Sequence, residues 1–244
     1  MASFCNLVTA VCTVTHLVST IRYKMANTTA EAVFNSIGPA YETAFAGLRP
    51  QLESIEWLKQ QLATEKPSSC LDIGCGTGQP VCSSLASAGH DVLGIDISGT
   101  MITAARERVS SATFKKIDLK DFVAEPGSFD AITVYFSMIA SVSHFDIQHA
   151  IASIYGWLRH GGLFIFATVT VPEACENVTI KWMGKDVVVS GIEADMAVDW
   201  VKQAGFEVVR TEASNFLPKA VEAGICRDDE VWEEDHIFVY AKKA

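Results

Sequence analysis

Short apolar runs alternate along the middle of the chain with stretches in which apolar residues return every three or four positions. The runs 69–73, 91–95, 113–117, 131–136 and 163–169 predict strands, and 80–88, 100–109 and 146–158 predict the helices between them. Strands this continuously apolar, separated by helices, belong to a parallel sheet covered on both faces. Upstream, residues 31–62 carry helical spacing interrupted at Gly38-Pro39, which predicts two or more helices before the sheet. After the fifth strand the rhythm loosens over 172–177. A hairpin is then predicted from 179–183 and 187–190, turning at Gly184-Lys185, then a helix over 193–204 capped by Gly205, and closing strands at 206–212 and 236–241.

Composition narrows this picture. A length of 244 residues with 49% hydrophobic residues suits one large α/β domain. A net charge of −10 without any basic run argues against a nucleic-acid partner. The seven cysteines form no C-x-x-C pair and read as reduced thiols in the cytoplasm, with neither a disulfide framework nor a metal site. The apolar stretch 7–21 is shorter than the roughly 20 residues that span a bilayer. It also lacks the basic residues that precede a signal segment. No membrane partner is expected, and residues 1–24 are read as a leader or disordered extension ahead of a domain beginning at Met25.

The strongest motif is Leu71-Asp72-Ile73-Gly74-Cys75-Gly76-Thr77-Gly78, between a strand and a helix starting near Pro80. Alternate glycines let the backbone turn sharply and approach a ligand. Gln79 takes the place of the third glycine of a dinucleotide fingerprint, and no Gly-Lys-Ser/Thr follows, so neither phosphate-binding pattern is complete. Asp72 would repel a phosphate and could help to hold an ammonium group. A methionine-derived sulfonium cofactor fits these features. Asp96 ends the second strand at the distance where a carboxylate accepts both hydroxyls of a ribose, with Ser98 or Thr100 available to cap the next helix. Asp118 could accept from an adenine amino group while Leu119 packs on the ring; taken alone, these two read equally well as a solvated acidic turn.

With LDIGCGTGQP, GHDVLGIDIS, FDAITVYFSMI, WLRHGGLF and EDHIFVYAKK in this order, the chain resembles the class I S-adenosyl-L-methionine-dependent methyltransferases, in particular bacterial and fungal small-molecule enzymes. The resemblance covers roughly residues 31–243. It implies a Rossmann-like seven-stranded sheet of order 3-2-1-4-5-7-6 with the last strand antiparallel, helices on both faces and an N-terminal helical lid. It divides 25–244 into a lid (25–66), a cofactor-binding core (67–170), an acceptor-pocket insertion (171–192) and a C-terminal helix with strands (193–244). The implied cofactor is S-adenosyl-L-methionine, leaving S-adenosyl-L-homocysteine as product, and the implied partner is a small-molecule acceptor. The implied cofactor residues are Asp72, Gly74, Cys75, Gly76 and Gly78; Asp96, Ile97 and Met101; Asp118 and Leu119; Tyr135, Phe136 and Ser137 beneath the sulfonium; and Tyr41 of the lid. Phe34 stands where a further tyrosine is common.

Methyl transfer from a sulfonium is an in-line displacement that gains most from alignment of the acceptor and needs a base only for a weakly acidic one. His144 is the candidate base, against the reading of a capping or surface residue, and Ala140 stands where similar enzymes often carry a histidine. Tyr41, Trp182 and Met183 are candidate acceptor contacts, with a core role as the alternative for the last two. His236 is expected to pack structurally, His149 and His160 to lie on helix surfaces, and the acidic run 228–235 to form a solvated loop. The favoured activity is transfer to oxygen or sulfur of a small metabolite, with secondary metabolism as the expected setting. The alternative is a cofactor-binding protein that does not methylate, either a regulatory subunit or another catalyst; a nicotinamide oxidoreductase is disfavoured by Gln79 and by the lack of a Tyr-x-x-x-Lys pair.

Overall fold

A computed structural model describes residues 29–62 and 65–244, so the expected leader at 1–24 lies outside the described residues. Three helices come first: α1 (Ala30–Ile37), α2 (Ala40–Ala44) and α3 (Arg49–Gln61). Then follow β1 (Ser69–Ile73), α4 (Val81–Ser87), β2 (Asp91–Asp96), α5 (Gly99–Arg108), β3 (Thr113–Lys116), β4 (Phe129–Tyr135), α6 (His144–Trp157) and β5 (Leu158–Thr170). The chain continues with β6 (Cys175–Trp182), β7 (Lys185–Gly191), α7 (Ala194–Gln203), β8 (Phe206–Phe216) and β9 (Glu234–Lys243). The main sheet has the order β3-β2-β1-β4-β5-β9-β8, with β9 antiparallel to both neighbours. Numbering only the strands of this sheet gives 3-2-1-4-5-7-6, the arrangement expected from the sequence.

Alternation along each strand sorts side chains to two cores. Leu71, Ile73, Ile132, Val134, Phe164, Phe166, Ile237 and Val239 face α6 and α7, where they meet Ile147, Ile151, Trp200 and Val201. Their neighbours Cys70, Ala131, Leu163, Ile165, Phe238 and Tyr240 face α3, α4 and α5 through Leu58, Cys82, Leu85 and Ile102. This is the two-faced burial that the continuous apolar strands require.

Local chemistry sets the element ends that matter for function. Ser98 caps α5 by accepting from the Met101 N–H at 3.2 Å, and Ser143 and Asp146 form a reciprocal capping box at the start of α6. The hairpin β6–β7 turns on Met183 and Gly184, with φ of +47° and +74°, one residue earlier than expected. Two successive positive φ values are what a two-residue hairpin turn demands, and they leave Trp182 and Lys185 as the last cross-strand pair. His160 lies at the exposed start of β5, a strand instead of the expected helix surface. Among the described residues no helix is long and apolar enough to cross a membrane.

Candidate active site

The strand order reverses between β1 and β4, and ligands in open α/β sheets bind beyond the strand C-termini at such a point. Three cavities meet there. A cleft of about 700 Å³ runs past Gly74, Asp96, Ile97, Asp118, Leu119 and Ser137. A second, of about 260 Å³, lies against Tyr41, Cys75, Gly76, Tyr135 and Phe136. The third is a small apolar pocket of about 60 Å³ roofed by α1 and α2 and walled by the β6–β7 hairpin. Phe34 and Ala140 border both the cleft and the apolar pocket, whereas Tyr41, Phe45 and Phe136 border both the apolar pocket and the second cavity.

The loop after β1 is held from both sides. The N–H groups of Gly74 and Cys75 donate to the carbonyl of Ile95 at 2.8 and 3.0 Å, and the Gly76 N–H donates to Asp96 Oδ2 at 2.9 Å. Gly74 has φ +73°, and a Cβ there would fall 2.0 Å from Ser137 Cβ, because Ser137 donates its hydroxyl to the Ile73 carbonyl at 2.8 Å directly behind the loop. Gly76 has φ +53°, and nothing lies within 4 Å of the place its Cβ would occupy. The first glycine is therefore required by packing, and the second leaves open space.

Asp96 accepts from Gly76 and, at 2.7 Å, from the Ser98 N–H. Burial pushes its carboxyl above the usual range, and these N–H groups pull it back. Asp118 accepts from the Lys120 N–H at 3.0 Å and opens a short 3-10 turn at the cleft's edge. Tyr135 is buried with its hydroxyl 2.7 Å from Ser54 Oγ, and Phe136 takes φ +55° at the strand end; both rings pack near Phe238. Tyr41 stacks on Phe45 with 4.5 Å between centroids. Burial, and then the negative charges of Glu234 and Asp96, hold its phenol protonated well beyond the ordinary range.

Several expected residues lie elsewhere. Asp72 is 2% exposed beneath the loop, where it accepts from Thr133 Oγ1 at 2.7 Å and from Cys82 Sγ at 3.3 Å; Thr133 is its register partner on β4. Burial raises its carboxyl to about 6, and the side chain borders none of the three cavities, which corrects its assignment to an ammonium contact. Gly78 packs toward Phe114 and Val109, and Met101 is buried in α5; both support the site from behind. His144 is outside all three cavities as well. Its Nε2 lies 3.1 Å from the Gly191 carbonyl and its ring packs edge-on to Trp200, which are the contacts of a packing residue. Met183 also leaves the acceptor side, because the hairpin turn buries it against Ala44, Phe45 and Ala220.

Trp182, by contrast, lines the apolar pocket, and its Nε1 donates to Glu234 Oε1 at 2.8 Å. Glu234 is only 4% exposed, a departure from the solvated loop expected for the acidic run. It begins β9 on the same side as His236, Phe238 and Tyr240. Its other oxygen lies 3.2 Å from His236 Nε2, and His236 packs 4.6 Å from Phe136.

Residues 70–162 match the family model described as a methyltransferase domain. The chain carries a methyltransferase domain over these residues. A dTDP-3-amino-3,4,6-trideoxy-alpha-D-glucopyranose N,N-dimethyltransferase from Streptomyces venezuelae is 31% identical over 126 residues, 51% of each chain. The chain thus spans about half the length of the curated relatives it matches. Among solved structures, an S-adenosylmethionine-dependent methyltransferase from Mesorhizobium loti superimposes with a TM-score of 0.56 at 20% identity, covering 78% of this chain and 98% of the other. The [4+2]-cyclase SpnF superimposes with a TM-score of 0.59 at 19% identity, over 78% and 80% respectively. The methyltransferase domain therefore shares its fold with proteins of more than one described chemistry, and its own reaction must be argued from its site.

Proposed function

We propose that the chain transfers a methyl group from S-adenosyl-L-methionine to oxygen or sulfur of a small, fairly apolar metabolite, in secondary metabolism. The observation that carries this reading is that the small apolar pocket adjoins both larger cavities, the cleft through Phe34 and Ala140 and the second cavity through Tyr41, Phe45 and Phe136. The donor fits the two more polar ones. Gly74, Cys75 and Gly76 would hold its methionine part, where the open space over Gly76 admits a ligand. Asp96, with Ile97, would accept from the ribose, and Asp118 and Leu119 would flank the adenine. Tyr41, Phe136 and Ser137 would surround the reacting end, and Trp182 would contact the acceptor.

When bound, the donor supplies a sulfonium methyl for in-line displacement. The chain's part is alignment and exclusion of water: the aromatic walls place an acceptor against Phe136, and α1 and α2 cover it. The lid is tied to both cofactor loops. Asn35 Oδ1 accepts from Ser98 Oγ at 2.7 Å and from the Thr100 N–H at 3.1 Å, and Glu42 accepts from Thr77 Oγ1 at 2.7 Å. Closing the roof and ordering the cofactor loops are thereby one event. The small-molecule reading draws support from the net charge of −10 and from the sugar-directed relative. The decisive experiment supplies methyl-labelled donor and a cell extract to the purified protein. Label in the low-mass fraction is expected, label in protein or nucleic acid contradicts the substrate class, and no transfer by protein that binds the donor favours a non-methylating role.

A further inference from the structure

Glu234 is the feature of the apolar pocket that neither the fold nor the cofactor requires. Rings of Phe34, Tyr41, Phe45, Phe136 and Trp182 and aliphatic side chains of the β6–β7 hairpin make the wall, and Glu234 supplies a carboxylate among them. Burying a carboxylate in such surroundings is costly unless it is paired, and the described residues bring no lysine or arginine to it. Its partners are the Trp182 N–H at 2.8 Å and His236 at 3.2 Å. His236 Nδ1 is buried without a hydrogen-bond partner, so the ring is best satisfied as the neutral tautomer with its hydrogen on Nε2, donating to Glu234. Both carboxylate oxygens are then fixed in orientation, each with a lone pair to spare.

We propose that Glu234 is the proton acceptor of the reaction and selects a hydroxyl as the nucleophile. This rests on the methyl-transfer reading and narrows it from oxygen or sulfur to oxygen. A thiol reacts as its thiolate, which Glu234 repels and which needs no base. An amine, once neutral, attacks through its free lone pair and needs no base in the transfer itself. A hydroxyl donates its hydrogen to Glu234 while keeping its own lone pairs toward the methyl. The O–H bond breaks as the new O–C bond forms, the proton passes to Glu234, and the electron pair of the broken S–C bond leaves with the neutral thioether. Trp182 and His236 are positioning residues for that carboxylate.

The test compares the full chain with Glu234→Gln, using methyl-labelled S-adenosyl-L-methionine and a low-mass extract of the cells that make the protein. Product linkage is identified by mass spectrometry and donor affinity is measured by calorimetry. The expected result is a labelled methyl ether or ester, transfer roughly 100-fold or more slower in Glu234→Gln, and donor affinity within about twofold of wild type, which also shows that the variant is folded. A labelled thioether or amine, or unchanged transfer by the variant, overturns the hydroxyl assignment and leaves methyl transfer standing. Absence of any labelled product from the wild type overturns both. Should Glu234→Gln lose donor binding, His236→Phe, which removes the second hydrogen bond to the carboxylate and keeps a ring beside Phe136, decides: slowed transfer with donor affinity and acceptor KM kept supports the proposal, and an unchanged rate overturns it.

Discussion

Replacing Gly74 and Gly76 separately with alanine distinguishes packing from ligand space within one loop. Both residues sit at positive φ, where an alanine costs about 1–2 kcal/mol. At Gly76 nothing else is added, since the new methyl meets no atom within 4 Å. At Gly74 the methyl would fall 2.0 Å from Ser137 Cβ, against an ordinary carbon contact of roughly 3.5–4.0 Å, so loop or strand end must move by about 1.5 Å. That movement breaks the Ser137–Ile73 hydrogen bond and disturbs the Gly74–Ile95 one, each worth about 1 kcal/mol, on top of an overpacking cost of about 1–3 kcal/mol. Gly74→Ala should therefore lose roughly 4–7 kcal/mol in urea unfolding. Gly76→Ala should lose about 1–2 kcal/mol and unfold as cooperatively as wild type, yet bind S-adenosyl-L-methionine at least about tenfold more weakly by calorimetry. If Gly76→Ala bound the donor with wild-type affinity, the space over the loop would not be the donor's. If the two variants were equally destabilised, the packing account of Gly74 would fail.

Asp72 gives a pH-dependent prediction. Its carboxyl is raised from the usual 3.8 to about 6 by burial, so the fold disfavours the charged form: stability falls as pH rises from about 4 to about 6 and is level above. Asp72→Asn keeps the acceptor for Thr133 and removes that cost, and its stability gain over wild type in urea titrations should grow from near zero at pH 4 to as much as about 3 kcal/mol at pH 7.5; a gain independent of pH would refute this. His144→Ala should lower stability by about 1 kcal/mol through the lost contacts to Gly191 and Trp200, with transfer per bound donor unchanged. A slowing of 100-fold would return His144 to the chemistry.

What the letters revealed and what they hid divide along physical lines. Helix caps and the loop were legible because they are local: Ser98 caps the helix that follows it, and Gly74, Gly76 and Gly78 all take positive φ. Strand order came only with the family resemblance. Asp72 was misplaced because its partners, Thr133 and Cys82, come from a neighbouring strand and a helix, and its side of the strand is set only when the sheet assembles. Glu234 was hidden by its acidic neighbours. The signal was nonetheless present, since Glu234 shares its parity with His236, Phe238 and Tyr240, and extending the last strand by two residues puts the carboxylate on the buried face. Met183 turned away from the acceptor because a two-residue turn began one position early, which no composition reveals. The three cavities are formed by lid, hairpin and sheet together, and so were visible only in three dimensions.

The central claim is that the cleft beside Asp96 holds S-adenosyl-L-methionine, and calorimetric titration of wild type and Asp96→Ala tests it most directly. The account predicts saturable one-to-one binding of the donor and of its demethylated product by wild type. Asp96→Ala should weaken both by roughly 1.5–3 kcal/mol, about 10- to 150-fold, through loss of charge-assisted hydrogen bonds. Absence of heat with either ligand in wild type, or equal affinity in the variant, would contradict it.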